Sequence, residues 1–148
     1  MTVAQALHWF DLENFFNEAR RVLKPKGVLA VWSYNLLNIR SDIDEAINHF
    51  YKETLGSYWP SERVMVEQGY SEIRFPFKQI KTPVFIMKQE WSCSQILGYI
   101  GTWSAVKKYK QEKGIDPVME LSEEIFALWG DPEKKLKVEW PLNLKIMV

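Results

Sequence analysis

The sequence is poor in most of the features that announce an activity. Cys93 is its only cysteine, so no internal disulfide can form, and a reducing, cytoplasmic setting is expected. Its two histidines, His8 and His49, are too scattered relative to Cys93 to suggest a metal site. Neither sign of charge is in excess: 19 Lys+Arg stand against 19 Asp+Glu, which removes the electrostatic reason to expect nucleic acid or an anionic membrane as partner. No apolar run nears the roughly 18 residues a membrane span requires. No basic stretch leads into an apolar core near Met1, so no signal peptide is expected. Glycines number only 7, and they form neither a GxGxxG loop nor a phosphate-binding loop. No nucleophile elbow occurs, and no residue stands out as a nucleophile or general base.

What is present is apolar and aromatic. The 148 residues are 47% hydrophobic and 26% charged, the balance of one soluble globular domain spanning 1–148. Aromatic residues make up 14%, with seven tryptophans, enough to build a ring-rich core or to shape a pocket.

The first third reads as strand, helix, strand. Val3 to Leu7 is a short apolar run. Asp11 follows at a helix N-cap position, and Leu12, Phe15, Phe16, Ala19, Val22 and Leu23 recur at helical spacing. Pro25 stops the helix, Gly27 permits a tight turn, and "VLAVW" (Val28 to Trp32) is a continuous apolar strand of the kind found in parallel sheets. A parallel crossover is expected. The remainder is mostly helical. Ser41 is expected to cap a helix that buries Ile43, Ala46, Ile47, Phe50, Tyr51 and Leu55, and a short helix lies between Pro60 and Gly69. "VFIMKQEW" (Val84 to Trp91) reads as a strand, and Ser92 with Gln95 as a capping box ahead of an apolar stripe that runs to Trp103. "KKYKQEK" (Lys107 to Lys113) is a solvated helix face. Pro117 opens a last helix that ends at Gly130. From Leu136 to Val148 the apolar residues fall on even positions, a strand of period two interrupted at Pro141. The strands near Val84–Trp91 and Leu136–Leu144 are expected to pair antiparallel.

The stretch best placed for chemistry is "QALHWFD" (Gln5 to Asp11), at the carboxyl end of the first strand, where open α/β sheets bind ligands. Read from spacing alone, two accounts stand. Gln5, His8 and the rings touch a ligand, or Trp9 and Phe10 staple the helix entrance while His8 is merely solvated.

"QALHWFD" together with "RVLKPKGVLAVW" closely resembles the fourth-strand and fifth-strand region of class I S-adenosylmethionine-dependent methyltransferases, in the type 11 subgroup that includes trans-aconitate methyltransferase-like proteins. "GYIGTWSAVKKY" (Gly98 to Tyr109) and "VEWPLNL" (Val138 to Leu144) resemble that family's C-terminal signatures. The family's first three strands, its acidic glycine-rich loop and its ribose-binding acid have no counterpart in these residues. The resemblance thus implies the C-terminal portion of one methyltransferase domain: a partial Rossmann-like α/β fold lacking three strands, with helical insertions and an antiparallel strand pair. It implies an N-terminally truncated enzyme for a small-molecule methyl acceptor, an oxygen or carboxylate, that binds S-adenosylmethionine weakly or not at all when alone. By the same resemblance Gln5 and Ala6 line the methionine side of the cofactor, His8 and Trp9 flank the transferring methyl, and Tyr34, Trp103 and Ser104 wall the acceptor pocket. Arg40, Arg63 and Arg74 are candidates to meet an acceptor carboxylate. Two other functions fit such a chain. One is a non-catalytic pseudo-enzyme or interaction module that pairs with another chain, or with its own copy, through an exposed sheet edge. The other is an unrelated small-molecule binding domain.

Overall fold

A computed structural model describes Met1 to Val148. The chain forms two compact units, one of Met1–Asn35, Ser61–Met87 and Trp140–Val148, the other of Leu36–Pro60 and Lys88–Glu139.

The first unit is built on strand β1 (Thr2–Ala4), helix α1 (Leu12–Val22) and strand β2 (Leu29–Tyr34). β1 and β2 are parallel, with Thr2 opposite Ala30 and Ala4 opposite Trp32, and α1 makes the crossover. Strand pairing ends two to three residues earlier than the apolar run suggested, because Gln5 turns the backbone into the left-handed region at φ 49°. Residues Leu7–Trp9 then form a single 3₁₀ turn. Asp11 caps α1 as its sequence position predicts, its carboxylate accepting from the Asn14 amide at 3.1 Å. Phe16 and Ala19 are the buried residues of the expected stripe, whereas Val22, the last residue of α1, lies exposed. The following turn is closed by Gly27 N–H to the Lys24 carbonyl at 2.7 Å, and Lys26, not Gly27, carries the positive φ of 64°. Gly27 is needed for a different reason: a Cβ there would sit 2.8 Å from the Lys24 carbonyl oxygen.

Strand β5 (Leu136–Met147) lies inside the sheet, antiparallel to β2 (Ala30 opposite Ile146) and to the two-residue strand β3 (Gln79–Ile80), giving the order β1-β2-β5-β3. Strand β4 (Phe85–Trp91) also pairs with β5. β5 runs unbroken through Pro141, and its alternation changes phase along the way. Val138 and Trp140 are buried as the even positions predict, but at the far end Met147 is buried and Val148 is exposed. Helix α3 (Arg63–Glu67) completes this unit. Its core gathers Val3, Leu7, Leu29, Val31, Val66, Tyr70 and Met147. Beside it Phe16 meets the edges of Phe75 and Phe77 at 5.6 and 6.1 Å. Each large apolar side chain so buried contributes about 1.5–3 kcal/mol.

The second unit holds helix α2 (Ser41–His49), which continues through a π-helical turn at Phe50–Thr54, and helices α4 (Cys93–Gly101), α5 (Ser104–Lys113) and α6 (Val118–Trp129). Ser41 is the first residue of α2 and not its cap. Arg40 precedes it in extended conformation, and the Asp44 carboxylate reaches back to the Ile39 amide at 2.8 Å. The residues predicted to face inward from α2 and its extension are all buried. They share the interior with Ile96, Ile100, Leu121, Ile125 and Trp129, as α2 and α4 both pack on α6. The Ser92–Gln95 capping box is present, the Gln95 side chain accepting from the Ser92 amide at 2.9 Å. No helix is long and apolar enough to cross a membrane.

Candidate functional site

The turn after β1 is held by an unusual use of glutamine. The Gln5 amide N–H extends the β-ladder to the Trp32 carbonyl at 2.9 Å. Its side-chain carboxamide then closes on Tyr34 from both directions, Nε2 donating to the Tyr34 carbonyl at 2.9 Å and Oε1 accepting from the Tyr34 amide at 3.0 Å. The side chain thus stands in for one more residue of β1, while the backbone is free to leave the sheet. The Trp9 amide donates to the Ala6 carbonyl and the Phe10 amide to the Leu7 carbonyl, at 3.0 and 3.1 Å. That single turn sends Leu7 and His8 inward and Trp9 and Phe10 outward; His8 is 7% exposed and Trp9 56%.

The account in which this stretch is purely structural is half met. Phe10 does staple the helix entrance, stacking on Phe15 at 5.2 Å from the residue just before the cap to the fourth helical position. Trp9 does not; its ring leans on the imidazole of His8 at 4.7 Å and otherwise faces outward. His8 is not solvated. Its Nδ1 lies 2.8 Å from the hydroxyl of Tyr70. Burial, reinforced by the Arg63 guanidinium and opposed by Glu62, holds its pKa below the ordinary 6.5, so the imidazole is neutral at physiological pH.

Tyr70 reaches His8 because of how α3 ends. The Tyr70 amide bonds to the Met65 carbonyl and the Gly69 amide to the Val66 carbonyl, both at 2.9 Å, the paired bonds of a Schellman motif. Gly69 (φ 59°) and Tyr70 (φ 58°) are both left-handed. A Cβ on Gly69 would come within 2.6 Å of the Asn143 side chain. The turn drives the tyrosine ring into the core of the first unit. Nothing local in the sequence marks Tyr70 as part of the site; only the glycine before it signals a helix end.

Of the other predicted residues, Tyr34 is half-buried and tied to Gln5 through its backbone, and Ala6 is half-buried beside the core. Arg63 is anchored by Nη2 to Asn35 Oδ1 at 2.7 Å. Arg74 is exposed. The second unit holds the rest. Arg40 is engaged there by Asp42 at 2.7 Å and by the Leu128 carbonyl. Trp103 is not the end of the α4 stripe, since α4 stops at Gly101. It precedes α5 and joins a ring cluster with Tyr51, Trp59 and Tyr99, its centroid 5.8, 5.7 and 6.1 Å from theirs. Ser104 is exposed at the start of α5. Cys93 is buried, which pushes its thiol pKa up. No group of three or more His, Cys, Asp or Glu side chains converges to hold a metal ion.

Comparison with known proteins agrees with this layout. A family described as a methyltransferase domain matches residues 1–31, the segment that carries β1, the Gln5–Phe10 turn and α1. A candidate methyltransferase of Dictyostelium discoideum is 31% identical over 151 residues, covering 97% of this chain and 57% of that protein. The structure of a candidate type II methyltransferase from Anaeromyxobacter dehalogenans superposes with a TM-score of 0.89 at 39% identity, over 99% of this chain and 62% of that one. The chain thus spans about three-fifths of the length of the relatives it matches. Family match, sequence identity and fold together liken the chain to methyltransferases.

Proposed function

We propose that this chain supplies one wall of a methyl-transfer site, in which the Gln5–Phe10 turn flanks the sulfonium end of S-adenosylmethionine and a small-molecule oxygen or carboxylate acceptor. The trans-aconitate methyltransferase-like subgroup is the reading favoured for its specificity. One observation carries the proposal: an outward Trp9 ring and a buried, neutral His8 sit together at the carboxyl end of β1, in a chain with the fold of a methyltransferase.

The residues present suit one side of the cofactor. An exposed indole face beside small Ala6 suits a sulfonium, because a cation over an aromatic face gains about 0.5–2 kcal/mol. Bound there, the cofactor would supply an activated methyl group, and little is left for the protein beyond alignment and exclusion of water. Gln5 contributes indirectly. Its carboxamide is spent on Tyr34, so it fixes the turn that aims His8 and Trp9. Tyr34 remains a proposed acceptor-side residue of the first unit; for Trp103 and Ser104, in the second unit, that role rests on the resemblance alone. The 148 residues hold no acidic glycine-rich loop and no ribose-binding acid. Charged hydrogen bonds are worth roughly 1.5–3 kcal/mol each, so several missing ones lower affinity by powers of ten.

The test is a nuclear magnetic resonance titration of the full chain with millimolar S-adenosylmethionine. Shifts concentrated in the Trp9 indole, the His8 ring and the Gln5–Tyr34 amides, with a weak dissociation constant, are expected. No change in that set refutes the proposed site, and micromolar binding refutes the account of its weakness.

A further inference from the structure

The sequence marks His8 but gives no hint of what sets its protonation pattern, and the structure does. We propose that Tyr70 is a positioning residue that locks neutral His8 in the tautomer with hydrogen on Nε2, so that the imidazole offers the site a hydrogen-bond donor and not a base.

The geometry fixes which partner donates. Tyr70 is 1% exposed, and the side-chain partner of its hydroxyl is His8 Nδ1 at 2.8 Å. If Nδ1 carried the hydrogen and donated, the phenol hydrogen would be left in the apolar company of Val3, Leu7, Val66 and Met147 with nothing to accept it. If the phenol donates, both groups are satisfied. The surroundings act in the same direction. Burial raises the Tyr70 pKa, only partly offset by the backbone N–H groups of His8 and Leu7, which face the phenol oxygen, and by the Arg63 charge, so the phenol keeps its proton. That oxygen is therefore an acceptor toward them and a donor toward Nδ1. With Nδ1 occupied as an acceptor, neutral His8 carries its hydrogen on Nε2. Nδ1 is the ring nitrogen bonded to Tyr70, and His8 as a whole keeps 7% of its surface exposed.

The consequence deepens the methyltransferase reading and rests on it for the substrate class. A histidine held as an Nε2–H donor cannot accept a proton from an alcohol or phenol without breaking its bond to Tyr70. It can hold an oxygen that already has lone pairs free, and a carboxylate is methylated without deprotonation. The structure thus selects a carboxylate over a hydroxyl acceptor at His8. Tyr70 sits sixty-two residues away in sequence and acts only through the imidazole.

The experiment is nitrogen-15 resonance spectroscopy of the histidine side chains in the full chain near neutral pH, where His8 is neutral. The expected result is an Nε2–H tautomer for His8, with mixed tautomers and a raised His8 pKa in Tyr70→Phe, which keeps the ring and loses the phenol. An Nδ1–H tautomer in the unaltered chain overturns the proposal without any variant, and so does a Tyr70→Phe spectrum identical to it. Glutarate should shift the Nε2–H resonance and its dimethyl ester should not; equal responses overturn the carboxylate assignment. Because the tautomer is read with no cofactor present, its confirmation beside a failed S-adenosylmethionine titration would sink the methyltransferase reading alone.

Discussion

Gln5 permits a sharp test of how the turn after β1 is built, because three substitutions separate its two roles. Gln5→Ala removes both carboxamide bonds to Tyr34 and leaves the residue at φ 49°. At about 0.5–1.5 kcal/mol net per hydrogen bond, the loss is about 2 kcal/mol. In a chain of this size that lowers the melting temperature by roughly 4–8 °C. Gln5→Gly loses the same bonds but relieves left-handed strain of about 1–2 kcal/mol, against an unfolded-state entropy penalty of about 0.4–1 kcal/mol, so it should be no less stable than the alanine variant. Gln5→Glu keeps the acceptor for the Tyr34 amide and loses the donor to the Tyr34 carbonyl, placing a carboxylate against a carbonyl oxygen. Protonation restores the donor. The folded pKa of that glutamate is therefore raised, and the stability it lends is present below the unfolded value of about 4.3 and lost as pH rises through the folded value. Urea denaturation followed by circular dichroism measures all three. An alanine variant as stable as the parent, or a glutamate variant whose deficit does not shrink in acid, would refute the view that this side chain completes the ladder.

Two further outcomes follow from the same unit. Since burial and Arg63 hold the His8 pKa below 6.5, its contribution to stability is present above 6.5 and lost as pH falls from there through the folded value; His8→Gln should flatten the slope of stability against pH in that window, and parallel slopes would contradict it. Gly69→Ala must hold φ 59° and push its Cβ against Asn143, so it should destabilise by about 1–2 kcal/mol or more, with loss of the Tyr70–His8 bond seen in the His8 resonances; a neutral effect would mean that the Schellman turn is not what delivers Tyr70.

What could be read in advance follows the range of the interactions. Asp11, the Ser92–Gln95 box and the inward stripe from Ile43 to Leu55 are decided by neighbours within a turn or two, and all lie where their spacing puts them. Ser41 misled because Asp44 answers the free amide of Ile39 from inside the helix, a choice composition cannot distinguish from a serine cap. The end of β1 was misjudged because an apolar run says nothing of Gln5 turning left-handed. The phase of β5 failed for a similar reason, since Pro141 looks like a break yet the strand passes through it. In the turn after β1, position after a strand singles out His8 and Trp9 but does not say which of them is buried. Their opposite fates, one buried and one exposed, depended on a 3₁₀ turn, and Tyr70 on a helix end far along the chain.

The placement of β5 has a consequence for synthesis. Ala30 pairs with Thr2 on one side and with Ile146 on the other. The first pairing closes a short loop and the second one about four times longer, two doublings that cost roughly 1.2 kcal/mol more in chain entropy. On the ribosome, at about 5–20 residues per second, β5 arrives on the order of 5–20 s after β2. The β1–α1–β2 unit, with its glutamine clamp, has time to close first. Through that interval the other edge of β2 has its hydrogen-bonding groups open and its Leu29 and Val31 short of cover. The nascent chain therefore offers a strand-sized sticky edge to chaperones and to its neighbours, and defects near residues 142–147 should emerge first as poor yield rather than as altered chemistry.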